Sequence, residues 1–185
     1  SVMLENYNTS TGRLGSPAFF CSVSLSQTNA LSYQAGNARL PEYPKGSGQH
    51  PLVADGIASA GAKKVYLMLG MNCIAGGVDR ASQDLVTLVD QILAKSPEAA
   101  IFIQSVTPMT ADSPRADDAL NNGTIQAFNE RMRQICQEKQ WYFVNVAEAV
   151  TGEDGCLRPE LTFDGVHLNT QGCRIWLDYL RTHSV

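Results

Sequence analysis

Asp164 and His167 stand three residues apart in the tetrad Asp164-Gly165-Val166-His167, followed by Leu168-Asn169 and a helical pattern that runs towards the C-terminus. In a turn leading into a helix, that spacing lets both side chains point the same way. The carboxylate can then hold one imidazole nitrogen while the other faces a reactant, which is the base and orienter of a nucleophilic triad. A purely local reading stands beside it, because Asp is also common as a cap on a helix or on the turn before it.

The elements that must position this pair are legible as alternating apolar runs and helical periods. Lys64 to Leu69, Ala100 to Ser105 and Trp141 to Val144 are short, apolar and non-alternating, as strands covered on both faces are. Ala18 to Val23 is a weaker fourth strand candidate. Ser82 is placed to cap a helix bearing Leu85, Val86, Leu88, Val89, Ile92 and Leu93, which Ser96-Pro97 ends. A second helix is expected from about Thr124 to Lys139, with Ile125, Phe128, Met132, Ile135 and Cys136 inward. The last spans about Thr170 to Thr182, with Cys173, Trp176, Leu177 and Leu180 inward, and a short one covers Leu52 to Ala60. Strands alternating with helices predict an α/β fold, a three-layer α/β/α sandwich around a parallel sheet, in one domain over residues 1–185. The Gly- and Pro-rich stretch from Gly36 to Gln49 is a connecting loop.

Ligands of open parallel sheets gather beyond the carboxyl ends of the strands. Gly70-Met71-Asn72-Cys73, Val106-Thr107-Pro108-Met109 and the Asp164–His167 turn all fall there, so polar residues from distant parts of the chain converge on one edge. His50 and His183 lie in a loop and at the terminus, where solvation is expected. Asp117-Asp118 reads as the solvated start of the long helix.

Composition narrows the rest. A net charge of -4 carries no basic footprint for nucleic acid, and no apolar run is long enough to span a bilayer. Cys21, Cys73, Cys136, Cys156 and Cys173 are odd in number and widely spaced, so free thiols are expected. That leans towards a reducing compartment and leaves both a cytoplasmic and an exported bacterial protein open. No leader sequence is visible, and the abrupt opening of the chain leaves a removed leader open. No cluster has metal-ligand spacing and no Gly-rich phosphate loop follows a strand, so no cofactor is implied.

Val65-Tyr66-Leu67-Met68-Leu69-Gly70-Met71-Asn72 resembles the G-x-N block of the SGNH hydrolases, the GDSL-type esterases and lipases. Asp164-Gly165-Val166-His167 resembles their D-x-x-H block, and Gln104 to Met109 the matching strand end of bacterial members. The resemblance covers almost the whole chain from Val2 onward. It implies hydrolysis of a small-molecule ester, acetylated carbohydrate or a short-chain ester, through a serine acyl-enzyme. His167 would be the base, Asp164 its orienter, and the Asn72 amide an oxyanion donor beside Gly70.

Three departures accompany it. The family's nucleophile sits in a Gly-Asp-Ser block ending the first, central strand, and this chain has no such block. Either Ser1 is that serine, or Ser1 follows the nucleophile by two residues, which sets Leu4 and Tyr7 where members carry a leucine and a tyrosine in the first helix. The chain is therefore expected to be shortened at its N-terminus, leaving strand neighbours unpaired and open to domain swapping or homodimer formation. The glycine that supplies an oxyanion N–H in the second block is replaced in Cys21 to Ser26 by serine, at Ser24. The aspartate after the G-x-N asparagine is Cys73, which reads as a packed small hydrophobe. Two rival functions remain: a binding module on the same fold without a competent nucleophile, and a flavodoxin-like flavin or nucleotide binder, disfavoured by the missing phosphate loop.

Overall fold

The computed structural model describes residues 2–32 and 40–183, so Ser1 and the start of the Gly36–Gln49 loop lie outside the described residues. Three parallel strands, β1 (Lys64–Leu67), β2 (Ala100–Gln104) and β3 (Tyr142–Val144), pair in the order β1-β2-β3. Val65 pairs with Ile101, and Ile103 with Phe143.

Side chains alternate across a strand, and here the alternation divides two cores. Val65, Leu67, Ile101 and Ile103 join one cluster with α3 (Val53–Ser59), α4 (Val78–Lys95) and α5 (Asn122–Lys139). Phe102 and Val144 join the other with α1 (Val2–Thr11) and α6 (Thr170–Thr182). The sheet is thus sandwiched between helix layers, as the sequence predicts. Tyr66, Phe102 and Tyr142 share one register row and stack at 4.4 and 4.6 Å. The inward faces expected of α5 and α6 are the buried ones. None of the five cysteines is in a disulfide among the described residues. No helix among the described residues is long and apolar enough to cross a membrane.

Two expectations are corrected. Ala18 to Val23 forms no strand. Its aromatic side chains are used for packing: Phe19 joins one core and Phe20 the other, and the Phe20 ring covers Gly56, where a Cβ would collide with it. Ser82 is not the cap of α4, which starts at Val78 behind Gly77. The 3-10 turn Ile74–Gly76 runs directly into α4, with Gly77 at φ +108 as the joint. Ser82 is instead buried within the helix, next to Ala81, whose carbonyl accepts a 2.9 Å bond from Gln27 of the short helix α2 (Gln27–Ala30). Asp117 precedes α5 in a turn and accepts the N–H groups of Ala119 and Leu120, while Asn121 caps the helix.

The loop after β2 is buried, and side chains satisfy main-chain groups that no strand pairs. Asn129 holds both the N–H and the C=O of Val106 at 2.8 Å. Asn122 does the same for Met109, at 2.7 and 2.9 Å. The two asparagines are two helical turns apart on one face of α5. Asn129→Ala should destabilise the protein by about 1–3 kcal/mol, the cost of leaving buried main-chain groups unpaired. Urea denaturation checks this against the exposed control Gln137→Ala, and equal midpoints would remove the clamp from the account.

Candidate active site

The turn from Thr162 to Leu168 is built by its own polar groups. Asp164 Oδ1 accepts the main-chain N–H groups of Val166 at 3.1 Å and His167 at 2.8 Å. Thr162 Oγ1 donates to the His167 carbonyl at 2.7 Å, and Thr162 and Leu168 form an antiparallel bridge. Asn169 then caps α6 through the N–H groups of Gln171 and Gly172. With Oδ1 so occupied, Oδ2 faces His167 Nδ1 at 2.7 Å. The capping and orienting readings of Asp164 therefore hold together, one per oxygen.

Burial opposes ionisation of Asp164. The main-chain N–H of His167, its ring N–H and the N–H of Val166 outweigh that, and hold the carboxyl at about 2 against an ordinary 3.8. An ionised Asp164 requires the proton on Nδ1, which leaves Nε2 as a proton acceptor. Nε2 makes no hydrogen bond among the described residues, and the His167 side chain is 49% exposed.

Two further residues flank the pair. Phe163, 62% exposed, lies nearly parallel to the His167 ring with centroids 5.9 Å apart. Arg115 reaches Asp164 Oδ2 at 3.5 Å. The sequence reading missed both. An exposed aromatic beside a catalytic-type aspartate was a visible signal for Phe163, whereas Arg115 comes from a distant loop with no local signal.

The Gly70-to-Cys73 turn follows β1. Gly70 is buried at φ +154, and a Cβ there would come within 2.6 Å of Val106 and 2.9 Å of Phe128. Its carbonyl accepts the N–H groups of Cys73 and Ile74 at 2.8 and 3.0 Å, which folds the turn and sets Asn72 on its exposed side. Asn72 Nδ2 donates to the Leu25 carbonyl at 2.8 Å, so one amide hydrogen is committed and the other remains. That bond brings Asn72 to the segment carrying Ser24. Ser24 takes φ +60, the left-handed conformation that glycine adopts without penalty. Next to Asn72, Cys73 packs against the core, and burial pushes its thiol up to about 12, so it is not an activated nucleophile.

The predicted residues thus gather in two pairs, Asp164 with His167 and Asn72 with the Ser24–Leu25 segment. The loop after β2 joins them: Val106 packs on Gly70, and the Thr110 N–H donates to the Gly165 carbonyl at 2.9 Å. Ser1 lies outside the described residues. His50 and His183 are far from this chemistry: His50 Nδ1 contacts the Leu40 carbonyl, and His183 stacks on Tyr179.

Comparison with solved structures places the fold among esterases and lipases. A GDSL-like lipase from Bacteroides thetaiotaomicron is 25% identical with a TM-score of 0.58, over 69% of this chain and 64% of that one. A carbohydrate esterase family 3 protein from Talaromyces cellulolyticus has a TM-score of 0.62 at 16% identity, over 96% and 84% of the two chains. An acetyl xylan esterase, AlAXEase, aligns over 71% of each chain at 16% identity and a TM-score of 0.57. These last two show likeness of fold alone. The chain spans 58 to 64% of the length of three bacterial structures that are 23 to 26% identical to it. No curated protein matches the sequence. The model of the GDSL-like Lipase/Acylhydrolase family matches residues 22–175, a span that holds Ser24, Asn72, Asp164 and His167, and the chain belongs to that family.

Proposed function

We propose that this chain is a serine esterase of the SGNH type that hydrolyses small acyl esters, acetylated carbohydrate foremost. The observation that carries the reading is the 2.7 Å Asp164–His167 pair, with Nε2 open at the carboxyl edge of the sheet. Nε2 takes the proton of a serine hydroxyl as its oxygen attacks the ester carbonyl, and returns it to the departing alcohol. Water then attacks the acyl-enzyme by the same route, so one ester and one water yield one acid and one alcohol. The free amide hydrogen of Asn72 and the main-chain N–H of Ser24 donate to the oxyanion, and Gly70 lets the turn form that presents Asn72. Ser1 is the proposed nucleophile. Membership of the GDSL-like Lipase/Acylhydrolase family supports an ester as the substrate. The exposure of His167 and Phe163 supports it too, since a bulky alcohol can lie across an open surface with an aromatic face.

Turnover of p-nitrophenyl acetate and of acetylated xylan should fall by about 10⁴-fold in His167→Ala and by about 10³–10⁴-fold in Asp164→Asn. Labelling with a fluorophosphonate should modify Ser1 and should fail in His167→Ala. Hydrolysis at the uncatalysed rate, unchanged by either substitution, would leave a binding module on an esterase fold.

Because folding lowers the Asp164 pKa, its contribution to stability is complete above about pH 4 and disappears as the pH falls towards 2. Melting curves of the parent protein and Asp164→Asn should therefore diverge above about pH 4 and converge near pH 2. Parallel curves throughout would show that the carboxylate is not held as described.

Ser24→Gly should raise stability by about 1 kcal/mol, since it relieves a left-handed serine against a smaller glycine entropy cost. It should leave activity intact, because the N–H donor survives. A loss of activity at retained stability would move the function of Ser24 from its main chain to its hydroxyl.

A further inference from the structure

We propose that Gln27 is a positioning residue for the oxyanion donors: its buried amide fastens the segment that carries Ser24 to α4, and so fixes the Ser24 N–H relative to the Asn72 amide. The inference rests on the esterase reading, in which those two groups receive the developing negative charge.

Ser24 and Asn72 belong to two separately folded pieces of chain. Around Ser24, the Leu25 N–H closes a turn on the Ser22 carbonyl at 3.3 Å, and Asn29 donates to the Ser24 carbonyl at 2.9 Å. Asn29 also accepts the Ser26 N–H at 2.9 Å, while Ser26 Oγ accepts the Asn29 N–H at 3.2 Å. Ser24 therefore moves with α2. Asn72 moves with α4, because the Gly70 turn, the 3-10 turn Ile74–Gly76 and Gly77 deliver the chain straight into that helix. α2 has four residues, too few to hold its own place. Its contacts with α4 decide where Ser24 stands.

The Asn72–Leu25 bond joins the two pieces at the front, and the Gln27 main-chain N–H faces the Cys73 thiol next to it. Contacts at one point form a pivot, and a bond away from that point stops rotation about it. Gln27 supplies that bond: its Nε2 donates to the Ala81 carbonyl, on the first turn of α4, at 2.9 Å. Thr28 also reaches Asp84, and Gln91 reaches the Leu31 carbonyl, but neither bond is fully buried, so water competes with both. Gln27 is wholly buried.

The chemistry of the bond separates positioning from plain packing. Ala81 lies in a helix, where its carbonyl accepts the N–H four residues on, so it needs no side-chain partner. Gln27 Oε1 is buried and has no hydrogen-bond partner among the described residues. Sealing in an amide with its oxygen unpaired is unfavourable, and Met would fill a similar space without that penalty. What the amide adds is a directed link between two pieces of chain. Ser82, beside Ala81, also buries an unpartnered hydroxyl, but it links nothing.

The test compares the whole chain with Gln27→Met, which keeps the length and removes the amide, and with Ser82→Ala, which removes that buried hydroxyl. In Gln27→Met, kcat for p-nitrophenyl acetate should fall by about tenfold at unchanged KM, because the donors are displaced where only the transition state uses them. In nitrogen–proton NMR spectra, the Ser24 main-chain amide and the Asn72 side-chain amide should shift, while the Asp164–His167 turn keeps its signals. Ser82→Ala should leave kcat, KM and these signals at parent values. Should Gln27→Met not fold, Gln27→Asn, a methylene short of the Ala81 carbonyl, carries the same expectations. An unchanged kcat against an active parent would overturn the proposal, whatever happens to the melting temperature, and would leave Gln27 a core residue only. Equal losses in Gln27→Met and Ser82→Ala would overturn it too, as general loosening of α2 against α4. If the parent chain shows no turnover, the esterase reading fails by itself. The spectra then decide the role of Gln27, and unmoved Ser24 and Asn72 signals sink it.

Discussion

One main-chain bond, from the Thr110 N–H to the Gly165 carbonyl, ties the carboxylate–imidazole turn to the sheet. Gly165 sits at φ +81, and a Cβ there would meet Thr110 Oγ1 at 2.8 Å and Ser113 Oγ at 3.2 Å. The close approach thus requires glycine twice over, for conformation and for space. Asn129 and Asn122 hold the loop after β2 at Val106 and Met109, on the path that brings Thr110 to Gly165. Behind them stands α5, with Phe128 and Met132 buried against the sheet. The geometry of His167 is therefore set by a line of packed and bonded groups that begins in the core.

How far the sequence exposes this depends on whether a residue's environment is local. β2 and α6 are legible because their patterns are local: an unbroken apolar run needs two covered faces, and Cys173, Trp176, Leu177 and Leu180 recur at helical spacing. The Asp164–His167 pair is legible because its hydrogen bonds close within four residues. The asparagine clamps are not, since Asn122 and Asn129 serve a loop 13 and 23 residues away. Ala18 to Val23 has the composition of a strand, but its phenylalanines are spent on two different cores, a division only the tertiary structure creates. Ser82 illustrates the same limit: a good capping residue loses to Gly77, because the preceding 3-10 turn delivers the chain there. Ser24 is the instructive middle case. Family likeness called for glycine, and the backbone keeps the glycine conformation with serine in its place.

The site is polarised by design of the backbone as much as by side chains. Asp164 is ionised because three N–H groups converge on it, two of them from the main chain of its own turn. The Asn72 amide is oriented by the Leu25 carbonyl, and Gly70 turns the chain beneath it. Neither arrangement needs a deep pocket, which is consistent with the exposure of His167 and Phe163.

β1 joins the Asn72 turn to the sheet. The strand continues from Leu67 through Leu69 into Gly70 and Asn72, and Leu25, whose carbonyl holds Asn72, is buried in the same core as Val65 and Leu67. The Asp164–His167 turn is tied instead to the loop after β2, which α5 holds. The two halves of the proposed site therefore hang from neighbouring strands, and the β1–β2 pairing sets their spacing. Oxyanion stabilisation depends on donors held in place before charge develops, so the rigidity of that pairing is what the proposed donors at Asn72 and Ser24 rely on.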